Sequence, residues 1–352
     1  MSQATDLEGY LRQQVSCLLP CRPAVQQIGE LAPQVWLVEA LGGAKVVAKH
    51  QIYGSLTRGR AWDLLVVEKT VLDLLQRAHC AVPQVLGMDS DRSFIFFSYG
   101  GPSTLDDLVQ ERLQPLGPWA LRIVAAFNSI EGVLRRHQAC LERRCAPGAE
   151  AARLAGEWRQ AGRRAQAGLA YLGRHCGADL GPLPQLLGRI VRRLGRRRPT
   201  MASADYNARN IVVDSASGQL CFIEFAKLGW DWPERRLVQY SASLGGHRRK
   251  GVFRSILDPE AVQAYAYGAG RRNAGAALDG HHLVFYLNAA AMLGAALTRP
   301  QQSWAADLLR AWDRPQERLG QLIQMVGSSL SRDPLMDSFR ASFRQYCSVH
   351  FT

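Results

Sequence analysis

The feature that most constrains the fold of this chain is a short β-rich insert within an otherwise helical C-terminal part. The insert covers about residues 210–225 and contains a polar turn at 214–218. It is preceded by the sequence DYNARN, in which Asp205 and Asn210 lie five residues apart, and it ends in the sequence FIEF, which contains Glu224. Taken alone, an aspartate and an asparagine are typical turn residues. The insert therefore indicates a function only in combination with motifs elsewhere in the chain.

The N-terminal part has a different character. The β-rich segments 35–40 and 44–50 are joined by a predicted hairpin turn at 41–43, and a helical pattern follows over 60–78. Further β segments are predicted at 81–89 and 93–99, and they end in a Gly-Gly-Pro sequence. Helical patterns dominate from residue 104 onwards. The sequence thus predicts an α+β fold, with a small β-rich N-terminal lobe over 1–100, a hinge near 98–102 and a larger α-helical lobe over 103–352.

Five polar residues occur in an order that suits phosphoryl transfer. Lys49 ends a strand, Glu68 lies on the following helix, and Asp205, Asn210 and Glu224 follow in the second lobe. Such chemistry needs a lysine against the nucleotide phosphates, a glutamate that fixes the lysine, a carboxylate for the attacking hydroxyl and oxygen ligands for Mg²⁺. Each residue alone has an ordinary explanation as a solvated or turn residue. Their combination carries the prediction.

In this order and spacing the chain resembles the aminoglycoside-phosphotransferase and choline-kinase-like branch of the protein-kinase-like fold. The family's H-G-D-x-x-x-x-N-I-L-V-D corresponds to SADYNARNIVVD at 203–214, and its I-D-F corresponds to IEF within a metal loop at 223–227. Its G-x-x-D-P element corresponds to GWDWP at 229–233, and the resemblance covers about residues 35–240.

The resemblance implies a bilobal, ATP-dependent and Mg²⁺-dependent phosphotransferase that acts on a hydroxyl group of a small molecule. It implies that Asp205 is the catalytic base and that Asn210 and Glu224 are metal ligands. The remaining candidate residues would bind the nucleotide; they are Lys49, Glu68 and, beside the hinge, Phe97 and Tyr99.

Three positions depart from the family pattern. Ser203 replaces the histidine that stabilises the catalytic loop, and Arg236 replaces an aspartate that braces the same histidine. Because both losses affect one supporting network, we expect that the network has been replaced as a unit. Glu224 replaces the metal-binding aspartate, which keeps the charge but adds a methylene group. An active enzyme is favoured; the alternatives are a pseudokinase that serves as a nucleotide-binding or protein-interaction scaffold, and other chemistry such as nucleotidyl transfer.

The charge balance bears on the partners. The chain of 352 residues has a net charge of +13, which favours anionic partners. Acidic residues are sparse after the catalytic loop and basic residues are dense, so a neutral or anionic acceptor is predicted. The basic block RRLGRRR at 192–198 could contact nucleic acid or lipid phosphates, but it lacks interleaved aromatics, and a solvated helix end is favoured.

The sequence also predicts the cellular setting. The longest strongly apolar run, at 283–297, is too short to span a membrane comfortably. The polar N-terminus does not resemble a signal peptide, and the eight cysteines include no CxxC pair. These features predict a cytoplasmic protein with reduced thiols.

Overall fold

The computed structural model of the chain describes residues 2–51, 64–110, 117–144, 151–243 and 253–347. The helices in these ranges are α1 (Ser2–Leu18), α2 (Leu64–Arg77), α3 (Leu105–Gln110), α4 (Gly117–Arg144), α5 (Ala151–His175), α6 (Leu183–Gly195), α7 (Pro233–Ser241), α8 (Pro259–Ala269), α9 (Ala274–Thr298), α10 (Ser303–Ala311), α11 (Pro315–Gly327) and α12 (Pro334–Tyr346). The strands are β1 (Val25–Ala32), β2 (Val35–Ala40), β3 (Lys45–His50), β4 (Val85–Asp89), β5 (Phe94–Ser98), β6 (Ser103–Thr104), β7 (Thr200–Ser203), β8 (Ile211–Asp214), β9 (Gln219–Phe222), β10 (Leu228–Asp231), β11 (Ala242–Ser243) and β12 (Arg254–Ser255).

The N-terminal part contains an antiparallel sheet of five strands in the order β1-β2-β3-β5-β4. The four strands predicted from sequence are confirmed. The hairpin turn between β2 and β3 is also confirmed, and Gly42 and Gly43 there have positive φ angles of 88° and 83°. Strand β1 was not predicted, because six of its eight residues are exposed and its sequence VQQIGELA lacks an apolar alternation.

The two faces of this sheet pack against different partners because side chains alternate along a strand. In β5, Phe94 and Phe96 join the hydrophobic cluster formed with α1, whereas Ile95 and Phe97 join the cluster that contains α2. In β3, Val46 and Ala48 belong to the α1 side, and Val47 packs on the α2 side. Lys49, two residues after Val47, therefore points towards α2.

The C-terminal part is mostly helical, and α9 lies at its centre. Helix α9 packs against α5 so closely that a Cβ atom on Gly168 would lie 1.9 Å from the carbonyl oxygen of Leu287. Only glycine fits at this crossing. The architecture is therefore the bilobal α+β arrangement predicted from sequence, with a small antiparallel sheet followed by a larger helical part.

Two short antiparallel ladders position the loops between the helices. Strands β8 and β9 form the predicted insert, and β7 pairs with β10 so that Ser203 lies opposite Leu228. The β7–β10 ladder was not predicted, because each strand has only four residues. It sets the end of β7, from which the DYNARN loop starts, beside the segment that follows Glu224.

Candidate active site

Lys49 and Glu68 meet as the sequence predicted. In α2 the buried residues Leu64, Glu68, Val71 and Leu75 follow the three-to-four spacing of one helix face, and Glu68 is only 2% exposed. Lys49 Nζ lies 3.2 Å from Glu68 Oε1 and 3.1 Å from Oε2. Gln51 also donates a hydrogen bond to Glu68. Glu68 thus holds the Lys49 ammonium group from the α2 side of the sheet.

Glu224 completes a triad around the same lysine. Its Oε1 atom lies 2.8 Å from Lys49 Nζ, and its side chain is 28% exposed. The backbone of Glu224 has a φ of +67°, a left-handed conformation that costs a non-glycine residue about 1 kcal/mol or more. Strain of this kind at a polar residue is typical of functional sites. The structure therefore brings one lysine and two carboxylates together across the two lobes.

The electrostatics of the triad favour a charged lysine. Burial alone would lower the pKa of Lys49, but the carboxylates of Glu68 and Glu224 outweigh it and raise that pKa. Burial raises the pKa of Glu68, and Lys49 offsets part of this effect while Glu224 adds to it. The triad carries one positive and two negative charges, so it has an excess of negative charge before any ligand is considered.

The DYNARN loop brings Asp205 and Asn210 together. Asn207 begins a 3-10 turn over Ala208–Asn210, and its side chain accepts a hydrogen bond from the amide of Arg209 at 2.9 Å. This turn folds the chain back so that Asn210 Nδ2 donates to the Asp205 carbonyl oxygen at 2.7 Å. Metal binding by the amide oxygen of Asn210 stays a prediction.

Ser203 links this loop to the segment of Glu224. Its hydroxyl donates to the Glu224 carbonyl oxygen at 2.8 Å and accepts from the amide of Asp205 at 3.2 Å. One small side chain therefore bonds the backbones of the proposed base and of the proposed metal ligand. Ser203, which stands where the family pattern has a histidine, thus ties the DYNARN loop to the segment of Glu224.

Arg236 is fully buried and supports the strands that flank the DYNARN loop. Its guanidinium forms a two-point pair with Glu131, at 2.7 and 2.8 Å, and also donates to the carbonyl oxygens of Thr200 and Asp231. Burial alone would lower the pKa of Arg236, but Glu131 reverses the effect and raises it. Arg236 therefore braces the start of β7 and the end of β10, and Ser203 braces the end of β7.

The carboxylate of Asp231, in the GWDWP sequence, is fully engaged in hydrogen bonds that stabilise the loop. It accepts hydrogen bonds from Tyr206 in the loop, from the amide of Trp232 at 2.7 Å and from Arg235 at 3.0 Å. Two more of the acidic residues after the loop are buried and paired with arginine: Glu234 with Arg197, and Asp279 with Arg340. The structure thus leaves still fewer free carboxylates near the loop than the sequence suggested.

Several of the basic residues predicted to lie near the acceptor bind other protein groups instead. Arg235 and Arg236 pair with carboxylates, and Arg254 donates to the carbonyl oxygen of Val109. Residues 247–250 lie outside the described residues. In the basic block, Arg193 pairs with Asp333 and Arg197 with Glu234, so two of its arginines have structural partners.

Lys227 is a site residue that the sequence reasoning missed. Its Nζ atom lies 3.0 Å from Asp205 Oδ2, and both side chains are about one-third exposed, at 36% and 34%. The only signal in the sequence is a single lysine three residues after Glu224. Its meaning depends on the unpredicted β7–β10 ladder, which brings this segment beside the DYNARN loop.

The two nucleotide-binding candidates beside the hinge, Phe97 and Tyr99, lie in different environments. Phe97 is 6% exposed and packs in the hydrophobic core on the α2 side of the sheet. Tyr99 is half-buried, and Lys45 Nζ lies 5.5 Å from the centre of its ring. Gly101, with a φ of +143°, follows where a Cβ atom would lie 2.5 Å from the Val213 carbonyl oxygen. Nucleotide contacts by Phe97 and Tyr99 stay a prediction.

The donor set suits a Mg²⁺ ion shared with phosphates. The described residues contain no group of three or more His, Cys, Asp or Glu side chains that could hold a metal ion by themselves. Asn210 and Glu224 offer one amide oxygen and one carboxylate instead. Mg²⁺ is usually held by one or two such oxygens, together with substrate phosphates and water.

Comparison with solved structures supports the fold. The GDP complex of an aminoglycoside 2'-phosphotransferase IIIa mutant shares 14% sequence identity and a TM-score of 0.51, over 87% of this chain and 96% of that chain. Macrolide 2'-phosphotransferase MphH from Brachybacterium faecium (15% identity, TM-score 0.47, 88% and 99% covered) and choline kinase LicA from Streptococcus pneumoniae (12%, 0.44, 89% and 99%) also match. The match to the aminoglycoside phosphotransferase, with a TM-score of 0.51, confirms the predicted aminoglycoside-phosphotransferase-like fold.

The sequence itself matches neither a family model nor a curated protein. Within the described part of the chain, every helix is too short or too polar to cross a membrane.

Proposed function

We propose that the protein is an ATP-dependent and Mg²⁺-dependent phosphotransferase that acts on a hydroxyl group of a small molecule. The observation that carries the proposal is one connected set of contacts. Lys49 pairs with Glu224, Ser203 bonds the backbones of Glu224 and Asp205, and Asp205 is bonded by Asn210. The set joins a phosphate-binding lysine to a base and two oxygen ligands.

Asp205 is the proposed base. Its carboxylate accepts the proton of the acceptor hydroxyl while that oxygen forms a bond to the γ-phosphorus and the bond to the β-γ bridging oxygen breaks. The electron pair of the broken bond remains on the departing ADP. Lys227 Nζ, which lies 3.0 Å from Asp205 Oδ2, fixes the orientation of the Asp205 carboxylate.

The lysines carry the electrostatic part of the mechanism. Lys49, held by Glu68, neutralises charge on the nucleotide phosphates. Lys227, which pairs with Asp205, would neutralise the charge that develops on the transferred group. Asn210 and Glu224 would hold Mg²⁺, which neutralises the phosphate oxygens when bound.

We further propose that the acceptor is neutral or anionic. A polycationic acceptor would need several free carboxylates, and Asp231, Glu234 and Asp279 are committed to arginines. Asp258 caps the N-terminus of α8 by accepting from the amide of Ala261. A neutral sugar or alcohol makes no such demand.

A second candidate is a nucleotide-binding scaffold without transfer. It is favoured by the lysine contacts themselves, because Lys49 engages Glu224 and Lys227 engages Asp205. If ligands did not release these pairs, both catalytic carboxylates would stay occupied.

Measurement of γ-phosphate transfer distinguishes the two candidates. With labelled ATP, Mg²⁺ and a panel of polyols, sugars and alcohols, wild type should release ADP, and Asp205→Asn should lower the rate about 10²–10⁴-fold. The variant should keep its thermal stabilisation by ATP. Equal rates in wild type and Asp205→Asn would overturn the enzyme proposal, whereas ATP stabilisation with no turnover on any acceptor would favour the scaffold.

A further inference from the structure

A cavity lies beside the Arg236–Glu131 pair, and Glu131 and Thr200 line it. It has a volume of about 240 Å³ and is lined by residues of α4, α8 and the starts of β7 and α7. None of the candidate catalytic or nucleotide-binding side chains lines it. It is therefore separate from the site described above.

The wall of the cavity holds buried polar atoms that have no hydrogen-bond partner in the described chain. Tyr265 is 1% exposed, and its hydroxyl is unpartnered. Nη1 of Arg271 is likewise buried without a hydrogen bond; it forms an ion pair at 3.6 Å with Oε2 of Glu234, which also lacks a hydrogen-bond partner. Buried polar atoms normally find a partner, so two that line one cavity indicate that something polar occupies it.

The free hydrogen-bonding capacity of the wall is mostly that of donors. Both carboxylate oxygens of Glu131 are already taken, by Arg236 and by the hydroxyl of Thr200 at 3.2 Å. Arg135 and Arg136 line the cavity, are exposed, and form no ion pair with a carboxylate in the described part of the chain. Burial and the nearby carboxylates Glu234 and Glu131 raise the pKa of Tyr265, so its hydroxyl keeps its proton.

A glycine keeps the cavity open. Gly132 lies within the 28-residue helix α4 and lines the cavity. Glycine inside a helix is less stable than alanine by about 0.5–1 kcal/mol. Steric crowding does not require it, because a Cβ atom at this position would have Nη1 of Arg136, 3.7 Å away, as its nearest neighbour. A larger side chain would instead fill the space.

We propose that this cavity is a second ligand site, which binds a small oxyanion such as a phosphate or a carboxylate. Arg135 and Arg136 hold the charge at the mouth, and Arg271 and Tyr265 donate from the wall. The site goes beyond the proposed phosphotransferase function and does not depend on it. Because the cavity shares Glu131 and Thr200 with Arg236, a bound anion contacts the support of β7, which leads to Ser203 and Asp205.

The test is calorimetric titration of the full chain with inorganic phosphate, acetate and glycerol phosphate at constant ionic strength in sodium chloride. At least one of the three should bind the wild type with a stoichiometry of one. Arg135→Gln/Arg136→Gln and Gly132→Met should each weaken that binding at least tenfold. The preferred anion identifies the ligand as a free phosphate, a phosphate monoester or a carboxylate.

Two control variants separate this site from other sources of binding. Arg189→Gln/Arg192→Gln removes two exposed arginines from α6, which line a different groove, and Lys49→Met removes the phosphate-binding lysine of the cleft. Neither should change the affinity. Binding that is lost in Lys49→Met, weakened equally by both arginine pairs, or undetectable for all three anions would overturn the proposal and leave a water-filled cavity. Because turnover is not measured in this titration, its failure would leave the phosphotransferase proposal unaffected.

Discussion

Two buried charge clusters in this molecule have opposite balances. In the helical part, Arg340 and Asp279 join α12 to α9 as one positive and one negative charge, 1% and 0% exposed. Ser331 supplies further hydrogen bonds to the same carboxylate. Between the lobes, Lys49 faces two carboxylates, Glu68 and Glu224, and Glu224 is 28% exposed. The charges of the Arg340–Asp279 pair balance, although Nε of Arg340 is buried without a hydrogen-bond partner, whereas the Lys49–Glu68–Glu224 triad has an excess of formal negative charge.

The comparison predicts the largest effect at the balanced pair. Asp279→Asn leaves the guanidinium of Arg340 buried without its counter-charge, which should lower the free energy of unfolding by about 3–5 kcal/mol. Urea denaturation measures the change. Asp307→Asn is the matched control, since its pair with Arg310 is about 70% exposed on both sides and should change stability by less than about 0.5 kcal/mol. A similar small loss for Asp279→Asn would show that the buried pair is not needed.

A smaller, functional effect is expected at Lys227. Removing a charge from a closed site lowers turnover by about 10²–10³-fold, but the Lys227–Asp205 pair is about one-third exposed, so Lys227→Gln should lower it about tenfold. The assay is ADP release at saturating ATP. Lys69→Gln is matched in exposure, at 39%, and Lys69 pairs with Asp73 on the same helix, so turnover in this variant should be unchanged. Equal turnover in the two variants would show that Lys227 does not contribute to catalysis.

The Lys49–Glu68–Glu224 triad should tolerate the loss of one carboxylate charge, whereas the Arg340–Asp279 pair should not. Glu224→Gln leaves Lys49 paired with Glu68, so stability should stay within about 0.5 kcal/mol of wild type. Glu224→Gly also relieves the left-handed backbone and should gain about 1 kcal/mol. Thermal and urea unfolding measure both. His79→Gly, at an exposed residue with a φ of +55°, controls for the backbone effect alone. A loss of about 3 kcal/mol or more in Glu224→Gln, the size expected for a broken buried pair, would make the triad structural.

The smallest effect concerns a balanced pair that is partly exposed. Asp333 is near the surface; burial would raise its pKa, but Arg193 and the amides at the start of α12 lower it overall. A lowered folded-state pKa contributes stability above the unfolded value near pH 4, and this stability is lost as pH falls through the folded value.

Asp333→Asn should therefore flatten the acid limb of stability between about pH 4 and pH 2 and cost about 1 kcal/mol at pH 7. Asparagine still caps the helix, so the change reports the lost charge, and an acid limb of urea-measured stability that is as steep as in wild type would contradict the prediction.

The sequence predicted the parts of this site that depend on periodicity and motif. The helical spacing in α2 placed Glu68 on an inward face, and the family resemblance paired it with Lys49, a contact that the structure shows. The sequence did not predict Lys227, because its contact depends on two four-residue strands that carry too little pattern to be recognised. Nor could it predict that Arg236 pairs with Glu131, which is 105 residues away, since only the packing of α4 against α7 brings them together. Contacts across such separations depend on the tertiary fold.

The central claim is that Glu224 supplies the metal-binding carboxylate of a nucleotide site, and one measurement tests it most directly. Thermal unfolding is followed with ATP, in Mg²⁺ and in EDTA, for wild type and Glu224→Gln. The account predicts that ATP raises the melting temperature of wild type more with Mg²⁺ than without it, and that Glu224→Gln loses only the Mg²⁺-dependent increment. An equal Mg²⁺ increment in both proteins, or no effect of ATP on wild type, would contradict it.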